Sequence, residues 1–585
     1  MEKNPQKQIE DLFKKGFLLQ EDLINAEAIE QTVIDKIKTE ADLLVLNKDY
    51  LEVIRQQTSL VDWYEIDGYK VEAEKERNDE LYQNSLQQLR KSNLDLIHAG
   101  QTDKQDLSSL ELSLNYEDGL KKNRINGLSV KSSPYPAEEL GQESIAGSAL
   151  TPENELSGLI FNPSQPDSAV TIIISYENKP KKYVVDDFVK IFRTRLRFLE
   201  KILQHRLELQ NTLSISRVLS KKERENVSLI GLVDEIGETK NGNLIVTLED
   251  LTGRVKIFIS KAKKELYLDG KDLVLDEVVG VNGVCGDKIV FAEKIIWPDI
   301  PNTHKLKKGE QEEYVIFLSD IHVGSTLFLK EEFGRLLSWI KGDFGNEQHR
   351  KIAEKIKYIF IAGDLVDGVG IYPSQEEELE IKDIGQQYKE FSRLIGQIPL
   401  HIQIIICPGN HDVVHLAEPQ PAFYQRFAEG LFNLPNVKLV TNPSLINIGK
   451  TSDFSGFDVL MYHGFSFDYY VANVESIRAA GGYHRSDLIM KFLLKRRHLA
   501  PSFRSTPYYP SHDEDPLLIK SVPDFLITGH IHYSCVANYN GITMISGSCW
   551  QAKTSFQEKL GHEPEPARVP VVNLKTREIK ILRFS

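Results

Sequence analysis

Five short apolar runs in the C-terminal half of the chain each end on side chains that bind divalent cations. Residues 314–319 lead to Asp320 and His322, residues 358–363 to Asp364, and residues 402–409 to Asn410, His411 and Asp412. Residues 459–462 lead to His463, and residues 525–529 to His530 and His532. Runs this short and this continuously apolar read as strands buried on both faces, with helices as the cover. The cation-binding side chains at their ends then converge along one edge of the sheet. A lone Asp-x-His or Gly-His-x-His carries little weight. Five such elements in order, each behind a strand-like run, carry a great deal.

The residue types define the chemistry. Asp320, His322 and His532 suit one divalent ion, and Asn410, His463 and His530 suit a second. The two carboxylate oxygens of Asp364 suit a bridge between them. Mixed imidazole, carboxylate and amide ligation favours manganese, magnesium, iron or zinc over soft thiophilic metals. Two such ions ~3.5–4 Å apart activate water and clamp a phosphoryl group during in-line displacement. His411, beside a ligand but not needed as one, is placed to protonate the leaving oxygen. Asp412 is expected to orient that imidazole, and Gly363, Gly409, Gly464 and Gly529 to let the backbone turn tightly beside the ions.

At 585 residues the chain exceeds one hydrophobic core, and ~150 residues per domain suggests about four units. Residues 1–70 read as a helical module, with Ile9, Leu12, Phe13 and Phe17 at helical spacing. Residues 71–169, rich in Pro, Ser and acid, read as a flexible linker. Residues 170–225 open on a strand and continue as a basic helical segment, with ten Lys/Arg against five Asp/Glu between 186 and 224. Residues 226–300 alternate strongly, turn at Asp250-Leu-Thr-Gly253, and give three strands, a short helix and two strands. That is the pattern of an OB barrel, which holds single strands in a basic groove with exposed aromatics. Phe258 is expected to face either such a strand or a neighbouring domain.

Composition removes several classes. No apolar run approaches the ~18–20 residues of a membrane span. Residues 1–7 lack the apolar stretch of a secretory leader, so a cytoplasmic location is expected. Four scattered cysteines (Cys285, Cys407, Cys535, Cys549) form neither a disulfide framework nor a zinc ribbon. With 71 Lys+Arg against 85 Asp+Glu the net charge is −14, so any nucleic-acid contact has to come from a local basic patch. The cluster Lys495, Arg496, Arg497 and His498 is one candidate for DNA phosphates or an acidic partner surface.

The motif order Asp-x-His, Gly-Asp, Gly-Asn-His-Asp, His-Gly, Gly-His-x-His resembles the calcineurin-like metallophosphoesterase superfamily. Residues 319–325, 494–501, 547–557 and 567–572, behind an OB domain, resemble the small-subunit family of archaeal family D DNA polymerase. The resemblance covers about residues 185–585. It implies a two-layered α/β sheet sandwich covered by helices over residues 312–585, and a two-metal 3′–5′ exonuclease, manganese first among its ions. It also implies a large polymerase subunit as partner, single-stranded or mismatched 3′ DNA ends as substrate, and a place at the nucleoid. The implied ligands are Asp320, His322, Asp364, Asn410, His463, His530 and His532, with His411 as the catalytic histidine. Related eukaryotic B-subunits have lost these ligands, whereas this chain keeps all seven. Gly368 stands where the protein phosphatases of the superfamily carry Arg. The other role open to such a chain is a structural accessory subunit with a residual metal site.

Overall fold

The structure is a computed structural model, and it describes residues 18–19, 45–46, 170–176, 182–221, 224–510 and 514–585. Met1–Glu153 form one unit and Asn154–Ser585 another. In the first, Leu18–Leu19 pairs in parallel with Val45–Leu46, inside the stretch expected to be helical. The rest of that module and the linker lie outside the described residues.

The second unit begins with strand β1 (Val170–Ile174) and helix α1 (Val185–Gln204). Five strands follow: β2 (Asn226–Glu238), β3 (Leu244–Asp250), β4 (Gly253–Ile259), β5 (Val278–Cys285) and β6 (Ile289–Ile296). They close into a barrel in the order β2-β3-β4-β6-β5, with helix Lys264–Lys271 between β4 and β5. The alternation seen in the sequence fills it: Leu244, Val246, Leu248, Val255, Ile257 and Ile259 point inward and are buried. The Asp250 turn is a local structural device. Its Oδ1 accepts from the backbone N–H of Thr252 (2.6 Å) and Gly253 (3.0 Å), while its Oδ2 caps helix Ile215–Ser220 through Ile215 N–H (2.8 Å). Phe258 is half-buried on the barrel and packs edge-to-face on Phe291, itself 40% exposed, at 5.5 Å.

Residues 314–585 form two packed sheets. The first holds β7 (Tyr314–Leu318), β8 (Ile356–Ala362), β9 (Gln403–Cys407) and β10 (Val437–Leu439). The second holds β11 (Ser444–Ile448), β12 (Phe457–Met461), β13 (Phe525–Thr528), β14 (Cys535–Tyr539) and β15 (Ile542–Ser546). A final hairpin, β16 (Arg568–Asn573) and β17 (Ile579–Arg583), extends the first sheet, giving the order β10-β9-β8-β7-β16-β17. The second sheet runs β14-β15-β13-β12-β11-β1, so the strand before the barrel returns to the sandwich by pairing with β11.

The apolar runs are continuous because both faces are covered. Phe317, Phe360, Ile405, Val459, Phe525 and Ile545 fill the space between the sheets. Their strand neighbours Ile316, Leu318, Ile359, Ile361, Ile404 and Ile406 pack outward with Phe333, Trp339, Tyr388 and Phe391 from the helices. β7, β8 and β9 are mutually parallel, as are β12 and β13, so all five C-terminal ends face the same way within their sheets. Among the described residues no helix is long and apolar enough to cross a membrane.

Two buried ionic clusters join barrel, α1 and sandwich. Arg195 on α1 pairs with Asp515 (2.7 Å) and donates to the Pro501 carbonyl (2.6 Å), all buried. Asp515 also takes His498 (2.9 Å) and the Tyr508 hydroxyl. Arg496, 3% exposed, pairs with Glu277 of the barrel at 2.8 Å, and Glu277 also accepts from Trp297 Nε1 at 2.9 Å. Lys495 lies over the Trp297 ring at 3.7 Å. The cluster 495–498 is therefore an internal staple, which corrects the expectation that it meets DNA or a partner. Charge is legible in sequence and burial is not.

Two results are expected from this staple. Arg496→Met strands Glu277 as a buried charge without its cation, at a cost of about 3–5 kcal/mol, read as a lower Tm. Glu277→Gln combined with it is expected to recover much of the loss. The second concerns pH: burial and the neighbouring Arg195 push the His498 pKa down to about 4. An unfolded histidine takes its proton near 6.5, so the unfolded state binds more protons between those values. Stability accordingly falls as pH drops from about 6.5 toward 4. His498→Gln should flatten the Tm–pH curve there; an unchanged slope contradicts this role.

Candidate metal centre

Each strand stops where its ligand begins. Backbone φ is +52° at Asp320, +54° at His322, +53° at Asp364, +69° at His530 and +57° at His532. Left-handed conformations cost residues with a β-carbon of order 1–3 kcal/mol each and persist only where their surroundings enforce them. Here they are enforced. Asp320 N–H donates to the Gly363 carbonyl (3.0 Å) and His322 N–H to the Asp364 carbonyl (3.1 Å). His530 N–H is shared between both Asp320 carboxylate oxygens at 3.0 Å. Two glycines are demanded by space. A β-carbon on Gly409 would lie 2.2 Å from Asp364 Oδ1, and one on Gly363 would lie 2.4 Å from His463 Nδ1.

The structure brings all seven sequence-derived ligands together. Ligand atoms of Asp320, His322 and His532 lie within 4.8 Å of one another, as do those of Asp320, Asp364 and His463. Asp364 Oδ2 stands between the groups, 3.3 Å from His463 Nε2 and 4.0 Å from His322 Nε2. Asn410 Oδ1 lies 2.9 Å from both His463 Nε2 and His530 Nδ1.

Hydrogen-bond partners assign the tautomers. His463 Nδ1 faces the Ala362 carbonyl at 2.8 Å, which only accepts, so Nδ1 carries the hydrogen. His530 Nε2 faces Asp468 Oδ2 at 2.9 Å, and His322 Nδ1 faces Asp367 Oδ1 at 3.1 Å, so those nitrogens carry hydrogens too. What remains pointing inward is His463 Nε2, His530 Nδ1, Asn410 Oδ1 and Asp364 Oδ2, all lone pairs. On the other side, His322 Nε2 meets His532 Nε2 at 3.0 Å, and Asp320 Oδ1 lies 3.4 Å from the latter. Such an assembly is stable only around positive charge, and oxygen with imidazole nitrogen suits divalent cations. The same field acts on protons. Burial disfavours a charged His463, yet Asp364 beside it lifts the pKa to about 10, so Nε2 offers its lone pair to a cation only by giving up a proton. Burial likewise disfavours the Asp364 carboxylate, but His463 and His411 hold it well below the usual range.

Asp367 has no role in the sequence reading, and the structure gives it two. Its carboxylate takes His322 Nδ1, Gln551 Nε2 (2.7 Å) and Gln375 Nε2 (2.9 Å), while its carbonyl accepts from His411 Nδ1 (2.7 Å). It thus aims a ligand and the proposed acid at once, and leaves His411 Nε2 free for proton exchange. Its spacing in Gly363-Asp-Leu-Val-Asp367 was the available signal. Asp468, the partner of His530, sits five residues past His463 with no motif to mark it. Asp412 departs from expectation, because it does not orient His411. Its oxygens accept from Tyr388 Oη and Gly409 N–H, each at 2.9 Å, and burial with Asp364 nearby raises its pKa to about 7. Asp412 holds the loop that carries Asn410 and His411.

The family model for the B-subunit of DNA polymerases alpha and epsilon matches residues 315–536. The chain is 37% identical over 434 residues to the DNA polymerase II small subunit of Methanothermobacter thermautotrophicus, covering 74% of this chain and 86% of that one. Identity is 38% over 410 residues to the Pyrococcus furiosus protein of the same name, and 40% over 393 to the Methanocaldococcus jannaschii one. Those two matches span 65% and 64% of the relatives and 70% and 67% of this chain. The chain belongs to the small-subunit family of archaeal DNA polymerase II, the family D enzyme, and is thus a subunit of a replicative polymerase.

Proposed function

We propose that this subunit is the nuclease of its polymerase, a 3′–5′ exonuclease that removes terminal nucleotides, mismatched ones included. The observation that carries the reading is the ring of inward lone pairs at Asp364, Asn410, His463 and His530 beside Asp320, His322 and His532. These residues would hold two divalent ions, manganese the first choice, with Asp364 offering a carboxylate to both. Bound there, the ions supply an activated water and neutralise charge on the phosphate. The chain does the rest. Asp367 holds the Nδ1–H of His411, so that in the doubly protonated imidazolium Nε2 gives its proton to the leaving oxygen. As water oxygen bonds to the terminal phosphorus, the bond from phosphorus to the penultimate 3′ oxygen breaks, and a 5′-mononucleotide departs.

The barrel is read as an OB fold. Its strand order, the parallel β4–β6 pairing and the helix between β4 and β5 support this. Barrel and sandwich together, joined by the Arg195 and Arg496 staples, are a rigid platform for a large catalytic subunit, working in the cytoplasm at the nucleoid. A 5′-labelled single strand is expected to shorten from its 3′ end only when manganese is added. A strand left intact at saturating metal, by the subunit alone and with its partner, reduces the role to that of an accessory scaffold.

A further inference from the structure

A cavity of about 780 Å³ opens over the centre, and its wall is not that of a phosphate groove. Among the described residues no lysine or arginine lines it. Tyr372 and Phe556 stack at 5.2 Å with their planes 18° apart, and the Tyr372 ring lies 6.4 Å from His411. Around them Val369, Ile371 and Leu416 are 40–45% exposed, apolar surface that no part of the described chain covers. The aromatic pair is fixed from two segments by one carboxylate: Tyr372 Oη donates to Glu378 Oε2 (2.8 Å) and Ser555 N–H to Glu378 Oε1 (3.3 Å). The turn Gln375–Glu378 that follows Tyr372 carries three consecutive glutamates, which repel a second phosphate backbone.

We propose that Tyr372 and Phe556 form a stacking platform for the terminal base, and that the cavity admits a nucleotide only once its base has left the duplex stack. This rests on the exonuclease reading above. A duplex end brings a second phosphate backbone, and the cavity wall, with no Lys or Arg and three glutamates beside it, does not neutralise one. A single base needs only a π-face, and aromatic stacking holds all four bases alike. Unstacking costs least for a mismatched end, so the pocket sorts mismatched from paired termini by that cost.

The test uses the full chain with its large subunit at saturating manganese, on single strands ending in an intact or an abasic 3′ nucleotide. For the parent, KM is expected to be roughly tenfold higher on the abasic end, the loss of one base–aromatic stack. In Phe556→Ala that ratio falls to about one, and in Phe556→Trp it returns. A mere loosening of the site raises both KM values together and keeps the parental ratio, which overturns the platform. A parent that degrades both ends with equal KM also overturns it while the exonuclease reading stands. A parent that degrades neither end overturns both.

Discussion

Asp364→Asn is expected to abolish nuclease activity and to empty both halves of the centre. The amide matches the carboxylate in size and its oxygen still accepts from His411 N–H, so the loop has no reason to collapse. What disappears is the one negative charge standing between His463 and His322. Both ions lose their shared ligand, and Asp320 is left as the only carboxylate among the remaining six. Metal retained after dialysis, counted per chain, should drop from two toward zero, and strand degradation should fall to the uncatalysed background. Retention of two ions by the variant would assign the bridge to another residue.

His411→Ala separates proton transfer from metal binding. Its Nδ1 is committed to the Asp367 carbonyl, and it is not among the inward lone pairs that ring Asn410. The variant should therefore keep both ions and still cleave DNA roughly 10²–10⁴-fold more slowly, the usual loss for a positioned general acid. A nitrophenyl ester, whose leaving group departs without a proton, should lose far less. The comparison belongs at saturating metal, because weakened affinity would mimic slow chemistry. A variant that loses metal as completely as Asp364→Asn makes His411 a ligand.

The convergence of the seven proposed ligands was legible in the sequence because each lies two to four residues past the end of a strand, and strand ends are local events. Their division between two ions is a proposal made from residue type. Asp412 was misread for the same reason: adjacency to His411 suggested a contact that the turn directs elsewhere, toward Tyr388 at 24 positions' distance. Asp367 was visible and unassigned, since nothing local shows that its carbonyl, not its carboxylate, meets His411. The staples were beyond reach. Arg195 meets Asp515 across 320 positions, and a basic run such as 495–498 looks the same whether it faces DNA or lies under a barrel. The return of β1 to β11 was hidden likewise, because an edge strand carries no mark of its distant partner.

A two-ion centre built on Asp364 can be seen in crystals grown or soaked with manganese, through anomalous scattering. Two peaks are expected roughly 3.5–4 Å apart, one beside Asp320, His322 and His532 and one beside Asn410, His463 and His530, with Asp364 between them. A single peak, or none, at metal concentrations that saturate activity in solution would rule out the two-ion centre.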